Sequence, residues 1–129
     1  MLINNEIADE KSLNVFSCPV QTTLDILGGK WKLVILHYLI DGEAKRFKEL
    51  ERLITGISPK MLIKELKDLE ANQIVLRTQF PTIPPAVEYK LTVYGQKVIP
   101  ILDVLKEFGE QHLEKVNSKQ KVNRMMSED

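Results

Sequence analysis

The stretch "GISPKMLIKELKDLEANQIV", Gly56–Val75, decides how the rest of the chain is read. Ser58 is a good N-cap, because its hydroxyl can accept from an early backbone N–H, and Pro59 suits the first helical position, where its missing N–H costs nothing. With Leu62 at zero on a helical wheel, Leu66 and Leu69 fall within roughly 40° of it and form a stripe to be buried. Lys60, Lys64 and Lys67 fall at roughly 160°, 200° and 140°, opposite that stripe, with Glu65, Asp68 and Glu70 on the flanks. Solvated faces usually interleave both signs, since Glu/Lys pairs four apart support an exposed helix. A ridge of three lysines forgoes that support and suits phosphates and base edges in a major groove. A plain solvated face is the competing reading of this helix taken alone.

The neighbours on either side weigh in favour of the groove. Upstream, "RFKELERLI" reads as a short helix with Phe47, Leu50, Leu53 and Ile54 on one face, ending near Thr55-Gly56. Two short helices joined across "LITGISPK" make a helix-turn-helix. Downstream the period changes: "IVLRTQF" and "AVEYKL" are β-rich and partly alternating, and "PTIPP" between them makes a hairpin with a projecting tip. A hairpin directly after a helix-turn-helix makes it a winged one. Further out, "SCPVQTTLDILGG" reads as a helix with Pro19 in its first turn, a Val20, Leu24 and Leu27 stripe, and Gly28-Gly29 as its stop. "KWKLVILHYLIDGE" is a second, strongly apolar helix. Thr92 offers a cap for a last one, "VYGQKVIPILDVLKEFGEQHLEKV", along which Val98, Leu102 (or Ile101), Leu105, Phe108 and His112 approximate a heptad seam. The fold class is therefore mainly α with a small β-hairpin (α+β), a winged helix-turn-helix. Residues 1–17 form a mixed leader that could serve as an arm on a neighbour, 18–116 the domain with its C-terminal helix, and 117–129 a polar tail expected to fray.

Bulk properties bound the function. The chain's 129 residues suffice for one core, no apolar run is long enough to span a bilayer, and the start lacks the features of a signal peptide. A single cysteine, Cys18, excludes an internal disulfide framework and fits a reducing cytoplasm. Net charge is zero, but its distribution is uneven: residues 30–67 carry nine basic and five acidic groups, whereas residues 1–29 carry one and four. The basic third is the one that holds the two helices of the motif.

"GGKWKLVILHYL", "RFKELERLITGISPKMLIKELKDLE" and "PPAVEYKLTVYGQKVIPIL" closely resemble the HxlR-type, MarR-like family of bacterial winged helix-turn-helix transcription regulators, over roughly residues 18–113. The resemblance implies a homodimer that binds pseudo-palindromic double-stranded operator DNA. It makes Ser58 to Asn72 the recognition helix, Phe80 to Ala86 the wing tip, and the first and last helices the dimer interface, with Val98, Ile101, Leu102, Leu105, Phe108 and His112 as the interface residues. Three features depart from the family's pattern, one of them Phe108, which stands where many members carry Trp in the last helix. Asn72-Gln73 stands where an acidic residue and a glycine usually end the recognition helix, with Asn72 able to take the left-handed turn. The wing tip holds no basic residue, so Arg77 and Lys90 on the wing strands are the safer expectation for backbone contacts.

Site residues follow from both lines. Ser58, Pro59, Lys60, Met61, Lys64 and Lys67 are expected at the DNA from the recognition helix. Lys30, Arg46, Lys48, Arg77 and Lys90 are expected near phosphates, and Lys32 beside Trp31 is a further candidate. Cys18 before Pro19 lies at the positive end of a helix, a setting that favours thiol reactivity; the resemblance implies a sensor of a small oxidant or electrophile, and the alternative is a packed helix-cap residue. His37, inside the apolar second helix, is expected in the core or an interface. His37 and His112 lack acidic or thiol partners at ligand spacing, so no metal is expected. No phosphate loop, nucleophile elbow or Cys/His pair supports an enzyme or a cofactor. The sequence thus points to a cytoplasmic, DNA-binding, homodimeric transcription regulator, with no membrane partner. The rival reading is a winged-helix interaction module whose lysines contact an acidic protein.

Overall fold

A computed structural model describes residues 18–127; the leader 1–17 lies outside the described residues. Helix α1 spans Pro19–Leu27 and α2 spans Lys32–His37. Strand β1, Lys45–Arg46, precedes α3, Phe47–Leu53, and α4, Pro59–Ala71. Strands β2, Val75–Phe80, and β3, Ala86–Leu91, form the wing, and a 3₁₀ turn, Gly95–Val98, runs into α5, Ile99–Ser127. The chain is mostly helical with one small antiparallel sheet in the order β1-β3-β2, a winged helix-turn-helix as expected from the sequence.

The short β1 is the element that sequence reading missed. It pairs Lys45 with Tyr89 and Arg46 with Glu88, turning the expected two-stranded hairpin into a three-stranded sheet. Two residues are too few to show a period. Helix α2 is also shorter than its apolar run suggests. Beyond His37 the chain closes with tighter i to i−3 bonds, Tyr38 to Ile35, Leu39 to Leu36 and Gly42 to Leu39.

One core holds these elements. Ile35, Leu36 and Leu39 join Leu50 of α3, Ile54 at its C-terminal cap and Leu62, Leu66 and Leu69 of α4, and Val75, Tyr89 and Leu91 close it from the sheet. The turn between α3 and α4 needs Gly56, whose φ is +89° and whose Cα hydrogens face Trp31.

Three segments bear on the expectations above. Val20 and Leu24 face outward at 67% and 58% exposure, and only Leu27 of that stripe is buried. His37 is exposed, its ring edge-on to Tyr38, because α2 turns Ile35 and Leu36 inward instead; this takes it out of the core and leaves the interface alternative. The tail from Asn117, expected to fray, continues α5 to Ser127, since it contains neither Pro nor Gly and is rich in helix formers.

The end of α4 is a Schellman motif: Ile74 N–H donates to Leu69 O and Gln73 N–H to Glu70 O, both at 2.9 Å. The left-handed residue is Gln73 at φ +62°, not Asn72, which keeps φ −91° and caps with its side-chain amide on Asp68 O. The same corner anchors α5. Thr92 Oγ1 donates to Gln73 O at 2.6 Å and accepts from Gly95 N–H at 2.8 Å. A Cβ on Gly95 would run into the Ile74 carbonyl. The end of α4 and the start of the last helix are thus one joint.

Candidate nucleic-acid interface

Helix α4 is started by Ser58, whose Oγ accepts from Met61 N–H at 3.1 Å. The hydroxyl hydrogen is left to donate outward, so capping and a phosphate contact are compatible. Leu62, Leu66 and Leu69 are 0%, 1% and 0% exposed and hold the helix down. Ser58, Pro59, Lys60 and Met61 make the exposed first turn, while Lys64 and Lys67 follow on the outer face. Lys60 and Lys67 have no ion-pair partner among the described residues.

The outer face divides in two. Ile63, Lys67 and Glu70, at i, i+4 and i+7, line an open cleft of ≈ 920 Å³ between α4 and the wing. Arg46, Phe47 and Lys48 form its second side, and Arg77, Thr82 to Val87 and Tyr89 its third. Arg46, Lys48, Lys67 and Arg77 put four cations around this cleft against the single carboxylate of Glu70. Several expected residues converge there from four separate elements, in a chain whose net charge is zero. Arg46 also lies 3.7 Å from Glu88, but at 64% exposure that pair is loose. Ile63, half-exposed on the cleft wall, was missed by sequence reading; its i+4 relation to Lys67 was the available signal.

Lys64 belongs to the other side of the helix. Its ammonium lies 3.4 Å from both Glu65 Oε1 and Asp68 Oδ2. Lys32 of α2 reaches the same two oxygens from beneath, at 3.1 and 3.3 Å, with its side chain only 12% exposed. This corrects the expectation that Lys32 touches phosphate, since burial against Glu65 and Asp68 takes it away from the surface. Hydrogen bonding to Asp68, with the charges of Asp68 and Glu65, raises the Lys64 ammonium above its ordinary range. For Asp68, burial pushes the carboxyl upward, but the hydrogen bonds and charges of Lys32 and Lys64 outweigh it and hold it low.

Other expected residues lie apart. Lys90 pairs with Leu76 and Arg77 with Tyr89, so strand alternation places Lys90 on the sheet face away from the cleft. Lys30 sits 4.8 Å over the Trp31 ring, outside the cleft lining. Cys18 is exposed at the N-cap of α1 and makes no side-chain cap bond among the described residues. The expected seam splits. Val98 and Leu102 are 5% and 7% exposed inside the chain's own core, because the start of α5 packs there. Ile101, Leu105 and Phe108 are exposed with Val104, and His112 stacks on Phe108.

Residues 26–117 match the model of the HxlR-like helix-turn-helix family. The chain belongs to that family. This HxlR-like chain is 40% identical over 109 residues to the HTH-type transcriptional regulator YdeP of Bacillus subtilis, covering 84% of each. It resembles the redox regulator HypR in its oxidized form, at 46% identity and a TM-score of 0.69, over 73% of this chain and 96% of that one. The reduced form of the transcriptional regulator YodB from B. subtilis is 37% identical with a TM-score of 0.63, over 74% of this chain and 94% of the other. This HxlR-like chain is thus a helix-turn-helix transcriptional regulator, and its family is not one of enzymes. No helix among the described residues is long and apolar enough to cross a membrane.

Proposed function

We propose that the chain binds double-stranded operator DNA as a homodimer in the cytoplasm, with α4 in the major groove and a phosphate backbone running through the cleft between α4 and the wing. The observation that carries this reading is the convergence of Arg46, Lys48, Lys67 and Arg77 on one cleft. A cleft with that sign focuses field and concentrates an anionic partner. Ser58, Pro59, Lys60, Met61 and Lys64 meet the groove beside it, with Ile63 offering an apolar contact to a base edge. Lys30 and Lys90 take outer phosphates, if the duplex reaches them by bending. The exposed stripe Ile101, Leu105, Phe108 and His112 on α5, with Val20 and Leu24 on α1, supports self-association.

Salt and sequence dependence test the reading. The wild-type chain should bind its selected duplex far better than a scrambled one. Lys67→Ala and Arg77→Ala should each lower the slope of log affinity against log salt by about one unit. Equal binding to scrambled DNA and to an acidic protein surface would instead favour the interaction module.

Cys18 serves as the oxidant- or electrophile-responsive thiol in this reading, supported by its exposure and by the likeness to the redox regulators HypR and YodB. Diamide should change DNA affinity of the wild type and leave Cys18→Ser unaffected; a variant that still responds removes the role.

A further inference from the structure

The recognition helix carries acids as well as lysines, and the acids would repel a phosphate backbone unless something held them. Glu65 is only 5% exposed, and Asp68 stands one turn on, at the edge of the same helix. Two lysines share these two carboxylates. Lys32 approaches from the protein side at 3.1 and 3.3 Å, Lys64 from the solvent side at 3.4 Å to each, with 65% of its side chain exposed.

We propose that Lys32 is a positioning residue for DNA reading: it holds Glu65 and Asp68 from behind the recognition helix, and so leaves Lys64 able to exchange its carboxylate contacts for a phosphate. The inference rests on the DNA-binding reading above. Its logic is charge balance. The four groups sum to zero, and a buried carboxylate left without a cation is strongly disfavoured. With Lys32 in place, Glu65 keeps its shorter, less exposed partner when Lys64 swings away. Without Lys32, Lys64 is the only cation among the described residues within reach of two carboxylates, one of them buried, and it stays with them. Lys32 thus governs a DNA contact that it does not make.

The relation to the partners is specific. Arginine can replace lysine at 32 as a charge, whereas methionine fills the space and removes it. Glu65→Gln removes the buried acid and lets Lys32 serve Asp68 alone, so Lys64 is freer than in the wild type.

The probe is the duplex that the wild-type chain selects from a randomised pool, and the readout is its affinity across a salt series. Lys32→Met should weaken binding about three- to tenfold and lower the salt slope by about one unit, the signature of a lost phosphate contact. Lys32→Arg should retain both values, and Lys32→Met/Glu65→Gln should regain them. In a Lys64→Ala background, Lys32→Met should lower the slope no further. Glu65→Gln alone should tighten binding a few-fold, which tests the same logic without a variant that risks unfolding. A purely structural role for Lys32 would weaken binding with the slope unchanged, and the loss would persist in Lys64→Ala. An unchanged slope in Lys32→Met, a failed rescue, or a Glu65→Gln chain that binds no better overturns the inference while the DNA reading stands. A wild-type chain that selects no duplex overturns both.

Discussion

Single residues set both the stability and the reach of α4. Leu66 is 1% exposed between Leu62 and Leu69, so Leu66→Ala removes buried methyl groups and leaves a cavity. Chemical denaturation should show a loss of about 2–5 kcal/mol. The opposite sign is expected at Gln73, a side chain held at φ +62° in the Schellman turn. Gln73→Gly relieves that backbone cost and should gain about 0.5–1 kcal/mol by the same measurement. Sequence reading placed the unusual pair Asn72-Gln73 correctly at the helix end but gave the left-handed turn to the wrong member. Asparagine's tolerance for that conformation pointed to 72, whereas the 6→1 bond from Ile74 to Leu69 requires it at 73. Two carboxyls add a pH dependence. Asp41 is lowered by its bond to Lys45 and by the Glu43 N–H, and Asp68, despite its burial, by Lys32 and Lys64. Both bind a proton less readily folded than unfolded, where 3.8 is ordinary. Their contribution is therefore present above that pH and lost as pH falls through the lower folded values. Thermal unfolding followed from pH 5 downward should show a decline that steepens below about 4 in the wild type and is shallower in Asp68→Asn.

At the scale of elements, the wing divides its labour between strand and tip. Arg77 projects from β2 into the cleft, while the tip Pro81 to Pro85 carries no charge and Ile83 is fully exposed. Arg77→Ala should lower the salt slope of DNA binding by about one unit. Ile83→Ala should leave that slope where it is, whatever it does to affinity, because no counterion is released by an apolar side chain. A changed slope in Ile83→Ala would mean that the tip controls the placement of Arg77. Most of this architecture could be read beforehand, since turn chemistry, capping and apolar period point the same way from Gly56 to Leu91. What could not be read depends on partners distant in sequence. Strand β1 exists because Tyr89 and Glu88 lie beside Lys45 and Arg46. Lys32 looked like a surface cation beside Trp31 because Glu65 and Asp68 are more than thirty residues away in the chain. The lysine ridge was legible as a face of α4, but its division between a free Lys67 and a shared Lys64 was not. The wheel set Glu65 and Asp68 on the flanks, yet Lys64 reaches both of these acids of its own helix, Asp68 at i+4, while α2 brings up their second partner, Lys32.

For the molecule as a whole, the last helix is where one chain's fold ends and an assembly can begin. Helix α5 has 29 residues and is roughly 43 Å long. Only its start is committed to the core, through Val98 of the preceding turn and Leu102. Beyond it Val104, Leu105 and Phe108 are 66%, 45% and 68% exposed, an apolar patch on one stretch of α5 of the kind that marks an interaction surface. The joint at Thr92, Gln73 and Gly95 ties this helix to the end of α4, so the spacing of two recognition helices would follow the way two copies of α5 pack. This separates two substitutions on one helix. Leu102→Glu buries a charge in the chain's own core and should abolish cooperative unfolding. Phe108→Glu should leave the fold intact and convert a dimer to a monomer in sedimentation equilibrium, and the dependence of Tm on protein concentration should disappear with it. Such a monomer keeps its cleft and α4 yet loses the second half-site, so it should bind one half-site weakly and gain nothing from the second. A Phe108→Glu chain that still sediments as a dimer would place self-association elsewhere, on α1 or the leader. A monomer that still binds both half-sites with wild-type affinity would uncouple DNA reading from dimerisation altogether.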